Sequence, residues 1–378
     1  MKIDTKALIQ DYHLNLCMQC GTCTGGCPVK LRSPLNMRRL VREAFITADP
    51  SKILKRPELW ACTTCSTCTL RCPAGVKNVE MIMAMRSILA RQGEIPSTVR
   101  DALEQTLLHG NPWGRFRDRR EDWAKDLGIK VVGGEKVETL LYVGCTPSYD
   151  PRIQNVSVAL VKILQAAGVD FGILGKKESC CGNEIRRMGE PTLFKKLVKD
   201  NSALIQKSGC KKMIVISPHC YNAFKNDYPD LGIQIQHYTE TLADLIETGI
   251  LKVSKTTSLR ATYQDPCFLG KQNKIFDEPR RILSSIPGLD FVEMDRSRER
   301  SLCCEGGGGR MWAEGGTEGT RNGEIRIREA VALGAKVMAT ACPFCLLTLE
   351  DAAKTAGLSE QIAVKDISEL VIEAAGVE

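Results

Sequence analysis

The sequence predicts a multidomain protein: an α-helical, cysteine-rich N-terminal domain followed by two copies of an α/β domain built on a parallel sheet. Three observations carry this prediction. Two cysteine runs near the N-terminus share one spacing, C-x2-C-x2-C-x3-C-P. A second cysteine pattern, in the C-terminal two thirds, recurs after 122 to 125 residues. Within each copy of that pattern, short apolar runs alternate with longer amphipathic ones, the signature of strands joined by helical crossovers.

Composition narrows the class. The chain has 378 residues, enough for two or three domains at roughly 150 residues each. Hydrophobic residues make up 43% and charged ones 26%, which excludes disordered and collagen-like chains. No apolar run approaches the ~18–20 residues of a membrane span. The opening MKIDTKALIQDYHLNL lacks the apolar core of a signal peptide. These features imply a cytoplasmic protein, able to reach the inner face of the membrane through a partner. The outlier is cysteine, with 18 residues. A long chain with its own core has no need of a secreted disulfide framework, so clustered cysteines read as metal ligands.

The N-terminal domain, residues 1–93, holds both runs. The first contains Cys17, Cys20, Cys23 and Cys27, followed by Pro28; the second contains Cys62, Cys65, Cys68 and Cys72, followed by Pro73. This is the two-cluster ferredoxin spacing, in which the fourth cysteine of each run serves the other [4Fe-4S] cube. Cluster 1 then takes Cys17, Cys20, Cys23 and Cys72, and cluster 2 takes Cys62, Cys65, Cys68 and Cys27. Three thiolates two residues apart can wrap three irons of one cube from a single loop. Zinc, the rival ligand for C-x2-C pairs, explains neither the third cysteine nor the trailing Cys-Pro. Leu35, Met37, Leu40, Val41 and Phe45 fall near helical spacing between the runs. A second helix, VEMIMAMRSILARQ, is expected to end at Gly93. Its methionines Met81, Met83 and Met85 read as packing. Each cubane with four thiolates carries about −2, so two of them bring the formal +7 to about +3, and the charge gives no reason to expect nucleic acid.

Residues 94–136 read as a connector with short helices, punctuated by Pro96, Pro112 and Gly114. Its arginine-rich stretch, with Trp113 and Trp123, is expected to be a solvated linker pinned by aromatics rather than a strap between domains or a partner-docking strip.

The repeats follow, at 137–255 and 256–378. The first copy has Cys145, then Cys180 and Cys181 before Gly182, then Cys220 after Ser217, Pro218 and His219. The second has Cys267, then Cys303 and Cys304 before Glu305, then Cys342 and Cys345. Expected strands are TLLYVG, VDFGIL and KMIVIS in the first copy and SLRATYQ, DFVEM and AKVMATA in the second. Helices such as VSVALVKILQAAG and GEIRIREAVALGA follow them. The cysteines thus fall beyond the carboxyl ends of parallel strands, where open α/β sheets bind ligands. Cys210 stands outside the pattern and reads as a buried apolar residue.

This doubled pattern resembles the cysteine-rich "CCG" domain of heterodisulfide reductases and related iron–sulfur oxidoreductases. The N-terminal ferredoxin segment makes the whole chain look most like the D-type subunit of those reductases. The resemblance implies two ferredoxin-type [4Fe-4S] clusters and two CCG domains. It further implies that Cys267, Cys303, Cys304, Cys342 and Cys345 hold a noncubane [4Fe-4S] cluster at which a disulfide is cleaved. The sequence departs from the family pattern twice. Ser217 stands where the first copy should have a cysteine, leaving Cys145, Cys180, Cys181 and Cys220 either as a four-thiolate cluster site or as scaffold. Glu305 replaces the glycine of the second CCG, facing the cluster or turned into a salt bridge with an arginine. The run Gly306–Gly309 lacks the order of a phosphate loop. Gly306 and Gly307 are read as letting the backbone approach the cluster, and Arg310 as a counter-charge or a substrate ligand.

Disulfide reduction needs two electrons and two protons, while cubanes pass one electron at a time. The expected route runs from the N-terminal clusters to the second-repeat site. His219 is a candidate proton donor; His13, His109 and His237 suggest nothing. The rival reading is a pure electron-transfer subunit linking a flavoprotein dehydrogenase for a hydroxy acid or acyl-CoA to a quinone or a membrane partner. Either way the chain is expected to work in a redox complex, with a flavoprotein or a membrane cytochrome, and the first reading adds a small-molecule disulfide or thiol.

Overall fold

The computed structural model describes residues 9–46, 54, 56–133, 136–313 and 317–377. The Phe45 side chain lies outside the described residues.

The N-terminal domain is a scaffold of short helices around the two cysteine loops. Helix α1 (Met37–Ile46) buries Met37, Leu40 and Val41. Helix α2 (Asn78–Gln92) buries Val79, Met81, Ile82, Met83, Met85 and Leu89, as its apolar spacing requires, and stops at Gly93 with φ +74°. That left-handed residue closes the helix by donating from its own N–H to Ala90 O at 3.1 Å.

Two all-parallel sheets follow. The first comprises β1 (Lys130–Val131), β2 (Thr139–Tyr142), β3 (Phe171–Ile173), β4 (Lys212–Val215) and β5 (Gln234–His237), in the order β1-β3-β2-β4-β5. The second comprises β6 (Arg260–Gln264), β7 (Asp290–Phe291), β8 (Val337–Thr340) and β9 (Ala363–Asp366), in the order β7-β6-β8-β9. In register, Leu140 lies beside Met213 and Thr262 beside Met338. Central strands β2 and β8 are buried at every residue, as expected of parallel strands covered on both faces. Strand order reverses on either side of β2 and of β6, so the switch points fall where Cys145 and Cys267 follow those strands.

All six expected strands form. Three more, β1, β5 and β9, go beyond the sequence expectation. Strand β1 lies in the stretch read as connector, so the first sheet begins there. The solvated-linker reading is also corrected. Residues 97–109 form helix α3 (Ser97–His109), and Gly110, Asn111, Pro112 and Arg120 are buried. Trp113 packs on Trp312 and Phe344 of the second repeat, with ring centroids 4.9 and 6.3 Å away. The segment is therefore a strap between the repeats.

The repeats also bind each other directly. Helix α4 (Pro151–Ala166) opens on Asp150, which accepts from the N–H groups of Arg152 and Ile153. It packs against α5 (Ile367–Ala375) of the second repeat. Arg152 reaches Glu350 at 2.6 Å and Glu369 at 2.8 Å. The Tyr238 hydroxyl donates to Asp366 at 2.7 Å.

Candidate functional site

Three groups of thiols form. In the N-terminal domain a cavity is lined by Cys17, Cys20 and Cys23 and, from the other run, by Cys72, with Arg38 at its rim. Cys27 is carried the opposite way: its thiol is pushed up to about 12 by burial and then by Cys65 and Cys62. Burial raises the Cys68 thiol too, followed by Cys62, Cys65 and Cys27. The fourth cysteine of each run thus sits with the other run's three. The two loops share one backbone device. Gln19 and Gly21 in the first, and Thr64 and Ser66 in the second, have φ between +50° and +84°. Three of these four are not glycine. Each such residue costs about 1–2 kcal/mol, and strain of this kind persists where a site over-determines it. Sulfur acceptors are in place: Thr64 N–H donates to Cys62 Sγ at 3.4 Å and Val76 N–H to Cys72 Sγ at 3.3 Å.

In the second repeat, three separate loops converge. Cys304 Sγ and Cys345 Sγ are 3.1 Å apart. Contact with Cys303 and then burial push the Cys267 thiol up; contact with Cys304 and Cys342 does the same to Cys345. The convergence extends into the N-terminal domain. Cys65, Cys267, Phe268 and Cys303 form a buried cluster of their own, and Cys303 Sγ lies 3.5 Å from Thr63 Oγ1.

The first repeat gathers Cys145, Cys180, Cys181 and Cys220 in a chain of contacts, 145 with 180, 180 with 181, and 181 with 220. Ser217 Oγ instead accepts from His219 N–H at 3.3 Å, capping the short helix Pro218–Asn222. Cys210 is buried in the apolar core.

The CC doublets explain the glycine that normally follows them. Gly182 (φ +83°) directs its N–H to Cys180 Sγ, and Glu305 (φ +73°) directs its own to Cys303 Sγ, each at 3.4 Å. Both residues hold the left-handed conformation that glycine adopts freely, and Glu305 does so despite having a Cβ. Its carboxylate turns to Arg32 at 2.5 Å, while Oε1 stays buried with no partner. The glycine run packs the domains together. A Cβ on Gly308 would lie 2.5 Å from the Thr63 carbonyl carbon, and one on Gly307 3.0 Å from Phe268 and 3.3 Å from His219. Gly309 N–H goes to Glu184 at 2.6 Å. These glycines let the second repeat close on the cubane loop and on the first repeat.

His219 crosses the repeat boundary. It is buried between Phe268 and Phe344, at centroid distances of 4.2 and 4.6 Å. Its Nδ1 lies 2.8 Å from Glu184 Oε1. Burial favours the neutral ring, but Cys342 and Glu184 prevail and raise its pKa to about 9. Arg310 donates to Thr317 Oγ1 at 3.2 Å and lines a cavity of about 500 Å³ with Arg32, Glu305 and Arg321, where Cys304 is part of the wall.

The surroundings suit anionic clusters. Arg86 is fully buried and makes five hydrogen bonds, all to carbonyls: Leu59 (twice), Cys62, Arg187 and Gly308. Lys271 is also buried; it donates to Thr67 Oγ1 at 2.9 Å and to Ser301 O at 2.6 Å, and Thr67 Oγ1 lies 3.3 Å from Cys65 Sγ. Buried cations bonded to neutral oxygens are favoured by anionic charge nearby; for Arg86 the Cys62 thiol and the Glu184 carboxylate act in that sense, and a thiolate-ligated cluster would add to it. Sequence reasoning missed both cations. The signal was there: Arg86 interrupts the apolar face of MAMRSIL, and Lys271 comes four residues after Cys267.

Fold and site together define an iron–sulfur oxidoreductase with a ferredoxin-type dicluster domain and two cysteine-rich α/β domains. The chain matches the 4Fe-4S dicluster domain family over residues 13–76 and the cysteine-rich CCG domain family over 139–225 and 261–350. It is 32% identical to the D-type subunit of the dihydromethanophenazine:CoB--CoM heterodisulfide reductase of Methanosarcina barkeri, over 99% of this chain and 98% of that one. It is 34% identical to the probable iron-sulfur-binding oxidoreductase FadF of Bacillus subtilis, over 98% of this chain and 61% of that protein. It is 37% identical to the EtfAB:quinone oxidoreductase of Syntrophomonas wolfei, over 79% of this chain and 44% of that protein. The chain thus spans between about two fifths and three fifths of the length of these last two relatives. It belongs to the family of CCG-domain iron–sulfur oxidoreductases that includes the D-type subunits of heterodisulfide reductases.

Proposed function

We propose that this chain is the electron-relaying and disulfide-reacting subunit of a redox complex. Cys17, Cys20, Cys23 and Cys72 hold cluster 1, Cys62, Cys65, Cys68 and Cys27 hold cluster 2, and Cys267, Cys303, Cys304, Cys342 and Cys345 hold a noncubane centre. When bound, these groups supply one-electron transfer and, in the second repeat, an iron able to take a substrate sulfur. The single observation carrying this reading is the buried contact of Cys65 with Cys267 and Cys303, which brings the cubane loop against the second-repeat set. The chain's own residues then divide the work. Lys271 offsets charge at that junction. His219, held by Glu184 beside Cys342, delivers a proton to a leaving thiolate. The arginine-rimmed cavity at Cys304 admits an anionic disulfide, with the Arg32–Glu305 pair at its wall.

A second reading is a pure electron-transfer subunit between a flavoprotein and a quinone, and the quinone oxidoreductase relative favours it. Among the described residues no helix is long and apolar enough to cross a membrane, so under this reading a partner or a further domain makes the membrane contact. Anaerobic EPR with iron counting, on the wild type and Cys304→Ser, tests the site: one signal is lost while the ferredoxin-type signals persist. Oxidation of a reduced dye by small-molecule disulfides then separates the readings. Turnover supports the first. No turnover with any disulfide, together with reduction by a partner flavoprotein, supports the second.

A further inference from the structure

The strap at residues 110–120 is bonded to both leading cysteine loops of the first repeat. Gly110 O accepts from Cys180 N–H at 2.7 Å, Trp113 Nε1 donates to Thr146 Oγ1 at 3.2 Å, and Arg117 donates to Ser179 Oγ at 3.0 Å. At its end Arg120, 2% exposed, brings Nη1 and Nη2 to 3.8 and 3.7 Å from Cys145 Sγ. The same Nη2 donates to Glu178 Oε1 at 2.7 Å. Glu178, equally buried, accepts from Val143 N–H at 3.0 Å and Gly144 N–H at 2.8 Å. Arg120 Nε is buried with no partner. Arg120 lies outside the repeated unit. In the second copy, residues 252–259 (KVSKTTSL) lead directly to β6, leaving no room for an equivalent strap.

Four buried thiols this close cannot all ionise without a cationic core among them, so the donor set fits an iron–sulfur group. Resting on the reading that the first repeat holds such a centre, we propose that Arg120 and Glu178 set its potential. The guanidinium at Cys145 favours the reduced, more negative state, and the carboxylate behind it opposes. The first repeat thereby becomes a resting place for one electron arriving from the N-terminal clusters, and no proton is taken up. Cys220 binds this centre, and its neighbour His219 touches Cys342, so the resting electron stands one residue from the second-repeat set. Ser217 and the strap make the first repeat a retaining site, leaving sulfur chemistry to the second.

The test is an anaerobic redox titration of the full chain followed by EPR, with iron counted in every variant. The double variant Cys181→Ala/Cys220→Ala identifies the first-repeat signal by its loss. Arg120→Met should lower the midpoint of that signal by about 59 mV or more, a tenfold change in the oxidised-to-reduced ratio at fixed potential, with iron content unchanged. Arg120→Lys should retain most of the wild-type value. Glu178→Gln should shift it the opposite way, upward. Opposite shifts are something a merely structural pair would not produce. Full iron with an unmoved midpoint in Arg120→Met and Glu178→Gln overturns the proposal, as does iron loss in both Arg120 variants. Unchanged iron in the Cys181→Ala/Cys220→Ala variant instead overturns the underlying reading that the first repeat holds a centre.

Discussion

At the scale of single residues, Glu305 and Arg86 show how this chain combines strain and charge at its sites. Glu305 holds φ +73° where the first repeat has Gly182. Replacing it removes the Arg32 contact whatever is substituted, but only glycine also removes the backbone penalty. Glu305→Gly is therefore expected to be more stable than Glu305→Ala by about 1 kcal/mol, measured by chemical unfolding of both under identical loading. Equal stabilities would mean that the left-handed backbone costs nothing here. Arg86 poses the complementary case, a buried cation whose hydrogen bonds all end on carbonyls. Burial lowers its pKa to about 10, while the neighbouring Cys62 opposes that fall. Arg86→Met strands carbonyls from all three domains, so a loss of about 3 kcal/mol or more is expected. In the same variant, removing positive charge beside Cys62 should lower the midpoint of the cubane with the buried ligand set. A destabilised protein with an unmoved midpoint would reduce Arg86 to a structural pin.

At the scale of elements, the ends of β5 and β9 meet across the repeat boundary. Asp366 caps α5 by accepting from Ser368 N–H at 2.9 Å, and it also accepts from the Tyr238 hydroxyl. Burial outweighs these donors and raises its pKa to about 7. The sign follows from proton counting. Between pH 4 and 7 the folded carboxyl keeps a proton that the unfolded one, near 3.9, has released, so this residue makes stability fall as pH rises through that window. Asp366→Asn stays protonated in kind and can still cap. Its thermal midpoint should fall less than that of the wild type between pH 5 and 7, and parallel pH profiles would sink the assignment. Elements like this also mark the limit of what the sequence revealed. The six strands leading into cysteine loops were legible because TLLY, KMIV and VMAT are continuous apolar runs. Strands β5 and β9 were not, because QIQH and AVKD are short edge segments with polar residues, defined by their neighbours rather than by their own pattern. The strap was misread because arginine-rich sequence usually means solvent, whereas Arg120 is buried by an ion pair formed with Glu178, 58 residues away. Within each run the spacing of the cysteines is local and so was legible; the exchange of the fourth cysteines and the meeting of three loops in each repeat came from the resemblance. The placement of His219 at Cys342 and of Cys65 at Cys303 was not, since it depends on how three domains close.

At the scale of the whole molecule, the two cysteine loops of the N-terminal domain face different surroundings, and the proposed electron relay assigns them different ends of its path. Cys20 is exposed, while Cys62, Cys65 and Cys68 are buried, with Cys65 against the second-repeat thiols. Under the proposed relay, the set with Cys20 is the one that takes electrons from a donor, and the set with Cys65 passes them inward. The proposed ligand sets exchange their fourth members, so a substitution in one run should remove the centre built on the other. Cys72→Ala should cost about four irons and the signal of the outer centre, while the inner centre still titrates with small mediators. Cys27→Ala, although it lies in the first run, should lose the inner centre and keep the outer one. It should also cut the second repeat off from any protein-sized donor, so the C-terminal signal responds to mediators alone. Two observations would refute this wiring: loss of the outer signal in Cys27→Ala, or undiminished reduction of the second repeat by a protein donor once the inner centre is gone. Either result would mean that electrons reach Cys303 without passing the Cys65 loop, and that the glycines pressing Gly307 and Gly308 onto Thr63 and its neighbours serve only to hold the domains together.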